Sequence, residues 1–157
     1  MSGKIDDWTR PNVQLKVPDE HTEQVNLLHR VRMLLPGIIY ENTFAVPNGQ
    51  VRDVRIARKL KAEGQRNGVP DLCLDIPRGP FHGFRCEMKR RNAKPSDWRE
   101  DQREWAARLN ANGFLAVVAC GADQGFDQFK AFWDLGPFDP AAAVDLSVFQ
   151  LELKGRR

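Results

Sequence analysis

Two short runs constrain this chain more than any other feature: Gly68-Val69-Pro70-Asp71-Leu72-Cys73-Leu74-Asp75-Ile76 and Phe84-Arg85-Cys86-Glu87-Met88-Lys89. Each is rich in β-formers and bounded by Gly or Pro, which reads as two adjacent strands joined by Pro77 to Gly83. Pro70 pre-sets its own φ, so Asp71 sits where the first strand leaves its turn. Glu87 and Lys89 are two apart. Side chains alternate along a strand, so this pair shares a face at roughly 6–7 Å spacing, while Cys86 and Met88 point into apolar packing. An Asp, a Glu and a Lys on one sheet face suit a hard divalent cation with an ammonium beside it. Taken alone, Glu-x-Lys also fits an ordinary exposed ion pair on a hairpin. The Pro-Asp in front of it tips the balance towards a site.

Val69-Pro70-Asp71 followed by Glu87-Met88-Lys89 resembles the signature of the PD-(D/E)XK nuclease superfamily, and more closely its VRR-NUC family. The likeness is wider than the motif. Ala45-Val46-Pro47-Asn48-Gly49, Lys59-Leu60-Lys61-Ala62-Glu63-Gly64 and His82-Gly83-Phe84 are similar to stand-alone phage and bacterial members, and the resemblance runs from about Glu20 to Trp133. It implies a nuclease in which Asp71 and Glu87 hold Mg²⁺ or Mn²⁺, helped by the Met88 carbonyl and a Glu on the first helix. That Glu precedes a Gln by four residues, which matches Glu20 and Gln24, with Glu23 as the alternative. Lys89 acts on the attacking water. Gln102, a polar residue within the apolar row Trp98, Trp105 and Leu109, supports Lys89 or the water. Stand-alone relatives are dimeric and cut branched DNA, including four-way (Holliday) junctions, so the resemblance implies that substrate and a homodimer.

At 157 residues, 41% hydrophobic and 29% charged, the chain suits one soluble domain. No apolar run approaches the roughly 18–20 residues of a membrane span, and Met1 to Asp7 has no apolar signal core. Cys73, Cys86 and Cys120 lie in apolar runs without metal-type spacing, as expected of free thiols in a reducing compartment. The expected location is the cytoplasm of a bacterial or phage-infected cell. A net charge of +3 does not announce nucleic-acid binding, but its distribution is uneven. Arg52, Arg55 and Lys59 cluster in one stretch, and Arg90 and Arg91 directly follow Lys89; these five are the candidates for DNA phosphates.

The remaining chain reads as follows. Residues 1–18 form an arm, with Trp8, Val13, Leu15 and Val17 free to pack on the body or on a partner. A helix starts near Asp19 and stops before Pro36-Gly37, burying Gln24, Leu27, Leu28, Val31, Leu34 and Leu35. Ile38 to Val46 reads as a strand ended by an Asn48-Gly49 turn. Val51 to Ala62 reads as a weakly amphipathic helix closed by Gly64, with Ile56 and Leu60 sharing its burial. Ser96 or Asp97 caps the next helix, with Glu100 at the capping-box position. Phe114 to Cys120 is a strand covered on both faces. Gln124 to Trp133 is a last helix with Phe126, Phe129, Lys130 and Trp133 on one side. Ala141 to Leu153 suggests a final strand or arm.

This order argues for an α/β fold, a restriction-endonuclease-like mixed sheet flanked by helices. The nuclease domain spans 19–135, and 136–157 is a C-terminal extension. With the N-terminal Trp8 and Leu15, its Val144, Leu146, Val148 and Leu151 are the expected dimer interface. The alternatives are a non-catalytic DNA-binding protein of the same fold and a monomeric flap or nick nuclease. No His-rich or Cys-rich spacing suggests a zinc hydrolase.

Overall fold

The structure is a computed structural model and describes residues 16–47 and 53–154. Trp8, Val13, Leu15, the Asn48-Gly49 turn, Val51 and Arg52 lie outside the described residues.

Asp19 caps the first helix, α1 (Glu20–Leu34), by accepting a hydrogen bond from the Thr22 amide at 2.8 Å. The helix buries Glu23, Leu27 and Val31, a row at i, i+4 and i+8. Leu34, assigned to the buried stripe from sequence, is 64% exposed, because the row turns one position away from it. Ile38 to Glu41 is helical, forming α2 (Gly37–Glu41), and only Thr43–Ala45 is a strand, β1. Pro36 at the cap sets a helix entry, and Ile39 is fully buried, so tertiary packing overrides the β preference of Ile-Ile-Tyr. Helix α3 (Val54–Ala62) is capped by Asp53 and buries no residue; Val54 and Ile56 are exposed.

Strands β2 (Leu72–Leu74) and β3 (Phe84–Lys89) pair antiparallel with Leu72 opposite Cys86. Helix α4 (Glu100–Ala111) starts later than the sequence suggests. Pro95 to Asp97 forms a separate 3₁₀ turn, in which the Asp97 carboxylate accepts from the Lys94 amide, and Arg99 is the α4 cap. Strand β4 (Leu115–Cys120) runs parallel to β3, with Glu87 opposite Val118 and Lys89 opposite Cys120. Helix α5 (Gly121–Asp134) buries Phe126, Phe129 and Phe132, while Lys130 is exposed.

The sheet order is β1-β2-β3-β4. Helices α1 and α5 pack together on one face. Gly125 lets them approach closely: a Cβ there would sit 2.7 Å from Leu27 Cδ2. The core on this face takes Leu72, Leu74, Phe84, Cys86, Met88, Leu115 and Val117 from the strands. Helix α4 covers the other face of β4 through Trp98, Ala106, Ala116 and Val118. Cys86, in the packed interior, has its thiol pushed well up by burial.

Residues 141–153 do not form a strand. They hold a 3₁₀ turn at Leu146–Val148, and Phe149, the residue that breaks the alternation, is the one buried. The Val118 amide on β4 donates to the Gln150 carbonyl at 2.9 Å, and the Gln150 amide donates to Gln128 Oε1 at 2.9 Å. The segment therefore covers part of the open edge of β4. Val144 and Leu151 pack against the core, whereas Leu146 and Val148 remain exposed. Among the described residues, no helix is long and apolar enough to cross a membrane.

Candidate active site

Three carboxylates converge at one end of the sheet. Glu20 from the first turn of α1, Asp71 just before β2 and Glu87 within β3 each offer an oxygen, and these atoms lie within 4.8 Å of one another. Backbone groups hold Asp71 in place. The Met88 amide donates to Asp71 Oδ2 at 2.9 Å, which ties that carboxylate to the neighbouring strand. Gly68 adopts φ +78°, and a Cβ there would meet the Asp101 carbonyl at 2.6 Å, so only glycine lets the approach to Asp71 pass so close to the start of α4.

Glu87 is the buried member. Its Oε1 accepts from Lys89 Nζ at 2.7 Å and from Gln102 Nε2. The orientation of the Gln102 amide follows from its other bond: Oε1 accepts from the Arg99 N–H at 3.0 Å, leaving the NH₂ group for Glu87. Gln102 thus touches Glu87 itself. Glu87 Oε2 is buried and, among the described residues, has no hydrogen-bond partner. Lys89, 4% exposed, also lies 3.8 Å from Glu20 Oε1.

Burial, then the neighbouring Asp71, pushes the Glu87 carboxyl up from 4.5 to about 8, with Lys89 opposing the rise. Burial also raises Glu20. The folded protein therefore binds more protons than the unfolded chain between these values. Without divalent cations, its stability is expected to fall as pH rises from about 4.5 towards 8. Thermal melts across that range check this, and Glu87→Gln should flatten the slope.

A buried carboxylate oxygen without a donor, flanked by two further carboxylates, fits a hard divalent cation that binds through oxygen. Asp71, Glu87 and Glu20 are the residues that would hold it. Met88 contributes its amide to Asp71, and its carbonyl belongs to the same stretch of β3.

Glu23 points elsewhere. It has no exposed surface, accepts from Arg91 Nε at 2.6 Å and Nη2 at 3.1 Å, and accepts from the Ala122 amide at the start of α5 at 2.9 Å. The Arg91 guanidinium beside Glu23 holds its carboxyl below the usual range. This pair locks α1 to the loop following Lys89. Glu23 and Arg91 are 68 positions apart, and no local pattern links them before the chain is folded. Of the other basic candidates, Arg55, Lys59 and Arg90 are exposed; Lys59 faces Glu63 at 3.8 Å and Arg90 faces Asp97 at 3.5 Å. Asp75 pairs with Arg85 at 2.9 Å, and His82 sits by Phe114 and Phe138 beyond the other end of β3.

Fold and site define an α/β protein with a restriction-endonuclease-like mixed sheet and an acidic cluster competent for a cation. No family model matches the chain, and no curated protein matches it. A solved structure described as a VRR_NUC domain protein does. It is 28% identical, superposes with a TM-score of 0.70, and the match covers 83% of this chain and all of that one. The likeness in both fold and sequence supports the VRR-NUC family for this chain.

Proposed function

We propose that the protein is a nuclease that hydrolyses phosphodiester bonds of DNA with Mg²⁺ or Mn²⁺, acting on branched DNA such as four-way junctions. The observation that carries this is the convergence of Glu20, Asp71 and Glu87 around an unpartnered Glu87 oxygen, with the Lys89 ammonium 2.7 Å from the same carboxylate. When a divalent cation is bound there, the chemistry supplied is Lewis-acid polarisation of the scissile phosphate and acidification of a water. The protein's own groups do the rest. Gln102 and Lys89 both hold Glu87 Oε1, which fixes the carboxylate's rotation and leaves Oε2 without a donor among the described residues. The Met88 amide fixes Asp71. Among the described residues, Lys89 is the one cation buried beside the acids, so it is the group we assign to orient an attacking water and to offset charge on a phosphoryl oxygen. Exposed Arg55, Lys59 and Arg90 are placed for flanking phosphates, with Arg52 as a further candidate.

A non-catalytic DNA-binding role fits less well. Binding alone gains nothing from three carboxylates facing a polyanion, and two of them have raised pKa values. The test is a panel of labelled four-way-junction, flap, nicked and single-stranded DNAs incubated with Mg²⁺ or Mn²⁺. Paired symmetric incisions of the junction are expected. Cutting of flap or nicked DNA alone would replace the branched-junction assignment, and no cutting of any substrate would sink the nuclease reading. Two symmetric cuts need two sites related by a twofold axis, so a homodimer is part of the proposal. Of the extension residues expected at that interface, Leu146 and Val148 are exposed, and light scattering measures the mass.

A further inference from the structure

Beside the acidic cluster lies an open apolar cavity of about 410 Å³. Val46, Pro47, Leu60, Val69 and Trp105 form its walls, with Arg66 among the polar groups at its edge. The segments that build it also build the site. The Val46 amide donates to the Asp71 carbonyl at 2.8 Å, Val69 precedes Asp71 by two residues, and Trp105 lies one turn beyond Gln102 on α4. The Trp105 ring is held in plane by its Nε1–H, which donates to the Asn67 carbonyl at 2.7 Å, and the Arg108 guanidinium lies 4.3 Å from the ring centroid. Exposed Arg58, Lys59 and Lys61 on α3 add positive charge near Leu60, answered by Glu63.

An apolar cavity with an immobilised indole and an arginine at its edge suits a flat uncharged ring attached to an anion. A nucleotide has that chemistry, and aromatic stacking accepts every base. A base inside a duplex cannot reach such a wall, because its faces are already stacked. Resting on the nuclease reading above, we infer that this cavity takes an unstacked nucleobase of the strand crossing the acidic cluster. The enzyme then selects DNA with an unpaired nucleotide next to the scissile phosphate. A fully paired junction offers such a base only by opening at its branch point.

The experiment uses the full chain in Ca²⁺, so that binding is read without cleavage. Fluorescence anisotropy compares a flap substrate with versions carrying one abasic residue, scanned along the unpaired strand near the branch. In the wild type, one abasic position is expected to weaken binding about tenfold. Trp105→Ala should lose the same factor on the intact strand and lose nothing further on the abasic one, while Trp105→Phe keeps most of the affinity. Leu60→Trp, which fills the cavity without changing charge, should reproduce the loss should Trp105→Ala fold poorly. Equal affinity for every abasic position, or additive losses from abasic site and cavity variant, would overturn the inference. A concentration-dependent burial of Trp105 without DNA would also overturn it, by showing a second copy in the cavity. The two readings fail separately. Base discrimination without incision in Mg²⁺ or Mn²⁺ removes the nuclease reading, and incision without base discrimination removes the cavity.

Discussion

Asp71→Ala and Glu87→Ala are each expected to reduce DNA incision by about 10³-fold or more and to abolish calorimetric binding of Mn²⁺. The expected size follows from removing a group that supports transition-state charge within a partly buried site. The two variants should differ in stability. Glu87 is buried with its carboxyl raised to about 8, so neutral Glu87→Gln should melt higher than the wild type at pH 8 without cation while remaining inactive. Asp71 is half-buried and bonded to the Met88 amide, so its loss frees a backbone donor and is not expected to stabilise. Wild-type incision by either folded alanine variant would refute the assignment of the acidic cluster.

Lys89→Met is expected to keep DNA affinity in Ca²⁺ within a few-fold and to lower the single-turnover rate about 10²–10³-fold. Lys89 is 4% exposed, so it is poorly placed to act as a surface phosphate contact. An ammonium that acts where charge develops affects rate more than binding. A second signature separates this from simple misfolding. Lys89 opposes the rise in the Glu87 pKa, so removing it should raise that pKa further and move the acidic limb of the pH–rate profile to higher pH. Collapsed affinity with a normal rate at saturation would make Lys89 a phosphate contact instead.

Local chemistry made much of this architecture legible before folding. The Asp19 cap, the Gly-bounded apolar runs of β2, β3 and β4, and the period-two placing of Glu87 and Lys89 are short-range signals, and the structure places these elements close to where the signals put them. The less legible elements are those decided by long-range packing. Ile38 to Glu41 carries strand-forming residues yet coils into α2 because Ile39 fills the core. Residues 141–153, read as a final strand or an arm, take the second form, with Phe149 buried as their anchor. In the site, the spacing of Glu87 and Lys89 shows that they share a face. That Glu20 meets them from α1, that Gln102 grips Glu87, and that Glu23 turns away to Arg91 are contacts between distant segments. No local pattern encodes them.

In the proposed function, DNA hydrolysis depends on a divalent cation held by Glu20, Asp71 and Glu87. The most direct measurement is incision of a labelled four-way junction by the purified full chain, with Mg²⁺ or Mn²⁺ and then with excess EDTA. The account predicts paired cuts with either cation, none with EDTA, and recovery when the cation is restored. Cutting that persists at full rate in EDTA would contradict it.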